Sequence, residues 1–190
     1  MNKYCELPKS YNRVKVCTIL SVISTLLSII TLEQYGSNIA ALMIAIIIYS
    51  LLVISIIDWN CYEIPFKLNL VILACSIVLT AIEFDKIGSH LLGACVTGGV
   101  FLLLYLASKG AALGFGDVKL MFFAGLGLGL SKSILTFVIA FVLAAILHPI
   151  FMKVLKKGKE LAFGPYIALG VICSYLFGEK LIYLYMNLFF

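Results

Sequence analysis

Gly114-Phe115-Gly116-Asp117-Val118-Lys119 places an acid, a lysine and two glycines where an apolar run is about to begin. Hydrocarbon tolerates charge poorly, so an ionisable residue at the end of a membrane helix is a functional candidate by default. A second lone acid, Asp58, closes an earlier apolar run in the same manner. We therefore read Asp58 and Asp117 as one catalytic carboxylate pair, and the rest of the chain as the frame that brings them together.

The composition defines the solvent of that frame. Of 190 residues, 63% are hydrophobic and only 12% are charged, whereas soluble domains carry roughly a quarter charged residues. Such a chain folds in lipid, as an all-α polytopic bundle of one domain over residues 1–190. The net charge of +5 does not indicate a nucleic-acid partner, because the lysines concentrate in short loops where they set membrane orientation.

Seven apolar runs are expected to be spans: 16–32, 39–57, 68–82, 88–107, 118–130, 133–152 and 161–177. Most approach the roughly 20 residues that cross a bilayer as a helix; 68–82 and 118–130 fall short. The basic segment 1–15 could precede a cleaved signal peptide, but no small-x-small site closes the first run, so we expect a retained span. Gly125 and Gly129 stand four apart, the spacing that lets a neighbouring helix approach. The tail 178–190 is expected to lie at the interface or against the bundle.

With the N-terminus in the cytoplasm, that side receives Lys3, Lys9, Arg13, Lys15, Lys67, Lys109, Lys119, Lys153, Lys156, Lys157 and Lys159. The far side receives Lys86, Lys132 and Lys180. Eleven against three follows the positive-inside rule and puts both acids at the cytoplasmic face of an inner or plasma membrane.

Asp58 opens Trp59-Asn60-Cys61-Tyr62-Glu63-Ile64-Pro65, where proline discourages a continuing helix. Gly114 and Gly116 permit tight or left-handed turns near a substrate chain. Two close carboxylates tend to share one proton, a state suited to peptide hydrolysis without metal or cofactor. Of six cysteines none forms Cys-x-x-Cys, and they read as small hydrophobes, Cys61 near Asp58 being the one to watch. His90 and His148 are lone residues at span ends and are not expected to be ligands.

Gly-Phe-Gly-Asp-Val-Lys-Leu, Asp58 with Ile64-Pro65 downstream, and Ala162-Phe163-Gly164-Pro165 together resemble the type IV prepilin peptidase family of membrane aspartyl peptidases. The resemblance implies that Asp58 and Asp117 are catalytic, that Gly114 and Gly116 shape the loop, and that Lys119 matches the family's basic position. It implies substrates of the prepilin type, whose short basic leader is cut beside a hydrophobic helix. Glu63 is a candidate for binding that leader through charge. The chain has no paired Cys-x-x-Cys, so it resembles the short form and methyl transfer is not expected. Phe66 stands where the family commonly has Asn or Asp.

Two other readings were weighed. Presenilin-like or signal-peptide-peptidase-like proteases share Gly-x-Gly-Asp but place their other acid in a Tyr-Asp pair within a span, whereas Ile57 precedes Asp58. A small transporter or assembly protein would often carry internal repeats, and none is evident.

Overall fold

A computed structural model describes residues 13–36, 38–111, 113–155 and 162–189. Residues 1–12 and 156–161, which carry much of the charge asymmetry, lie outside the described residues.

The described residues form six α-helices: α1 (Arg13–Tyr35), α2 (Ile39–Cys61), α3 (Phe66–Ile82), α4 (Ile87–Ala107), α5 (Phe115–Leu155) and α6 (Gly164–Phe189). One 3-10 turn, Phe84–Lys86, precedes α4. Lipid offers no partners for backbone polar groups, so these apolar segments satisfy their N–H and C=O groups internally as helices. Five are long and apolar enough to cross a membrane, and α3 is apolar but shorter.

Whether the expected seven spans are present turns on α5. The runs 118–130 and 133–152 belong to the single element α5, interrupted at Gly129, whose φ of 74° and ψ of 172° are not helical. Residues eight apart in a straight helix are separated by about 12 Å along the axis. Ser133 Oγ nevertheless donates to the Gly125 carbonyl at 3.2 Å, so the chain doubles back at Gly129. Glycine adopts that positive φ without a Cβ penalty.

Close packing follows. A Cβ on Gly93 of α4 would lie 2.7 Å from the Gly129 carbonyl carbon and 2.8 Å from the Gly125 oxygen. The Gly125/Gly129 pair thus receives a neighbouring helix, as its spacing predicts. Between α5 and α6, Thr136 donates to Ser174 at 2.8 Å, a polar contact inside the bundle. Phe101, fully buried, stacks edge-on with Phe137, Phe141 and Phe163 and ties α4, α5 and the entry to α6 together.

The tail also differs from expectation. α6 runs without a break through 178–189 rather than ending near Phe177. Its start is buried against α2 and α5, whereas Tyr183, Leu184, Tyr185 and Leu188 are exposed. An apolar exposed helix surface of this kind suits lipid contact. Among the cysteines, Cys75, Cys95 and Cys173 are free, as expected, but Cys61 is disulfide-bonded. His90, in the first turn of α4, is buried.

Candidate active site

Asp58 lies in the last turn of α2. That helix ends where Tyr62 takes a left-handed conformation and donates its N–H to the Asp58 carbonyl at 2.8 Å. Ile64 and Pro65 follow, and Pro65 caps α3 with φ fixed at −64°, the role its ring predicts. Asp117 lies in the first turn of α5. Its Oδ2 accepts the Gly114 N–H at 3.0 Å, while its own N–H donates to the Gly114 carbonyl at 3.1 Å. The carboxylate supplies the half of a capping box that reaches back to the N-cap N–H, while Gly114 has no side chain to return it.

The structure brings the two acids together. Both are buried, at 5% and 6% exposure, and both line one cavity of about 300 Å³ with Tyr62, Glu63, Ile64, Gly114, Phe115 and Gly116. Each is near enough to feel the other's charge.

The third motif completes the site. The Gly164 N–H donates to Asp58 Oδ2 at 2.8 Å. Phe163 sets its position by packing on Phe101 and Phe141, with ring centroids 5.8 and 5.1 Å away. A side chain at 164 has no room, because an added Cβ would lie 2.8 Å from Asp58 Oδ2. Each acid is thus met by the start of a helix, α5 for Asp117 and α6 for Asp58, where exposed N–H groups favour negative charge. The other oxygen of Asp117, Oδ1, is buried without a hydrogen-bond partner among the described residues. Such an atom calls for water, a proton or a substrate group.

The supporting residues sort less simply. Neither Gly114 nor Gly116 takes a positive φ, so the expected left-handed turn does not occur at either. Their lack of a side chain serves close approach instead: a Cβ on Gly116 would lie 3.0 Å from Ile64 Cβ. Glu63 is exposed and lines the cavity. Lys119 Nζ sits over the rings of Phe66 and Phe115, 4.8 Å from each centroid, a double cation–π contact. Phe66, the departure from the common pattern, is therefore half of the lysine's aromatic seat.

One residue was missed. Asn69 of α3 is 1% exposed and donates from Nδ2 to the Gly116 carbonyl at 3.5 Å, a long bond that links α3 to the Gly-x-Gly-Asp loop. A buried polar residue one turn into an apolar helix is a signal in itself, since it needs a partner.

A sequence model of the type IV leader peptidase family matches residues 45–148. A prepilin leader peptidase/N-methyltransferase of Pseudomonas putida is 26% identical over 163 residues, 82% of this chain and 57% of its own length. The protein of the same name from Stutzerimonas stutzeri is 24% identical over 161 residues, 81% and 56% of the two chains. The chain thus spans somewhat more than half the length of these relatives. No solved structure matches it. On the family match, which covers more than half of the sequence, this chain belongs to the type IV leader peptidase family.

Proposed function

We propose that the protein is a membrane aspartyl endopeptidase that removes the short basic leader of type IV prepilin-like proteins at the cytoplasmic face. One observation supports this reading above the others: Asp58 and Asp117, from distant helices, share one buried cavity, and each accepts a backbone N–H from a glycine. In the mechanism, the ionised member takes a proton from water as that water attacks the scissile carbonyl. The protonated member hydrogen-bonds the carbonyl oxygen and stabilises the developing charge. The glycine N–H groups hold the carboxylates in place, which matters because displacement of about 1 Å can cost two orders of magnitude in rate. Glu63 at the rim attracts the basic leader. The cytoplasmic assignment rests on the eleven-to-three lysine and arginine bias.

The test is leader removal from a co-expressed prepilin-like substrate, read by mass spectrometry. Wild type shortens it, and Asp117→Asn at equal membrane level leaves it intact. A normally abundant Asp117→Asn protein that still cuts would sink the mechanism.

A further inference from the structure

A second cavity, of about 480 Å³, lies at the other end of the bundle from the acids. Ala40 borders it and Asp58 borders the first. These residues are eighteen positions apart on α2, a rise of about 27 Å. That is close to the roughly 30 Å of a hydrocarbon core, so the two cavities sit at opposite boundaries of the membrane.

Its lining is amphipathic. Ile44, Leu79, Leu128 and Met186 supply an apolar wall. Two ion pairs also border it, Lys86–Glu83 at 2.9 Å and Lys132–Glu179 at 3.0 Å. Tyr175 lines it too, and its buried hydroxyl has no hydrogen-bond partner among the described residues. His90, 4% exposed, places Nδ1 2.7 Å from the Leu126 carbonyl oxygen. A carbonyl oxygen only accepts, so Nδ1 is the donor in this contact, and the two glutamates lining the cavity balance its two lysines.

That balance selects a class of ligand. A net-charged molecule at the edge of a low-dielectric region would leave uncompensated charge, which is costly. A zwitterion laid head to tail along a Lys–Glu pair adds two charge-assisted contacts and no net charge. An apolar wall beside such a site, at a membrane boundary, fits acyl chain next to headgroup. We propose that this cavity binds a phosphoethanolamine group, phosphate toward Lys132 and ammonium toward Glu179, carried by a phospholipid of the far leaflet. Neither the ligand nor the site depends on the peptidase reading.

The experiment measures the Tm of delipidated protein in detergent with short-chain phosphatidylethanolamine, short-chain phosphatidylglycerol or soluble glycerophosphoethanolamine, whose phosphodiester keeps the headgroup net-neutral. Phosphatidylethanolamine is expected to raise the Tm by roughly 5 °C at saturating concentration, and phosphatidylglycerol by much less. A rise with the lipid alone assigns the lipid as source; a rise with soluble glycerophosphoethanolamine as well assigns the headgroup from either source. Tyr175→Phe removes an unpaired buried hydroxyl, so its lipid-free Tm should hold or rise, while its response to lipid falls by half or more. Lys132→Gln should lose the response likewise, and it carries the comparison if Tyr175→Phe is not recovered. Equal shifts with both lipids, no shift with either phosphoethanolamine carrier, or full responses in the variants would overturn the proposal.

Discussion

The Gly164 amide donates to the Asp58 carboxylate at 2.8 Å across 106 positions of sequence. This contact joins the start of α6 to the end of α2 and makes the third motif part of the site. Gly164→Ala should therefore reduce cleavage by roughly 100-fold or more, since its Cβ would lie 2.8 Å from the carboxylate oxygen and displace it. Leader removal with the protein level followed by blot checks this. Normal cleavage by the variant would show that the contact is dispensable.

Asp58→Asn and Asp117→Asn should each abolish activity nearly as completely as the double variant, because members of one catalytic unit are strongly non-additive. Both proteins should remain in the membrane, an amide being easier to bury than a carboxylate. Residual rates of the single variants, compared with the double, decide it. Independent losses that multiply would point to separate roles.

Asn69→Leu leaves the Gly116 carbonyl without the Nδ2 donor at 3.5 Å. We expect kcat to fall by about tenfold with KM little changed, as the loop carrying Asp117 loosens. Unaltered kcat with a lower Tm would assign Asn69 to stability alone.

Cleavage should survive strong chelation. The proposed chemistry rests on two carboxylates and a water, and no cluster of three potential metal ligands occurs among the described residues. Activity lost to a chelator and restored by zinc would reverse this prediction.

Reporter fusions after Lys86 and after Lys157 should report opposite sides of the membrane, the first outside and the second cytoplasmic. The charge bias predicts it. A shared side would invalidate the orientation on which the cytoplasmic site depends.

Hydropathy alone establishes the membrane class, and nearly every helix begins or ends within a few residues of an apolar run, because lipid leaves a chain little choice but helix. The two acids were legible for the same reason: charge at the end of an apolar run is costly and needs a purpose. Only the tertiary structure decided what meets them. The donor to Asp58 lies 106 positions away and the contact to Gly116 comes from 47 positions away, separations that leave no periodic trace in sequence. Likewise, that Lys119 rests between Phe66 and Phe115 depends on how α3 packs against α5. A reversal between the runs 118–130 and 133–152 was legible from their separation at Lys132, but that Gly129 carries it was not, since a glycine within an apolar run reads alike whether the helix passes through it or turns back. What closes on it, Gly93 and Ser89 of α4, comes from elsewhere in the chain.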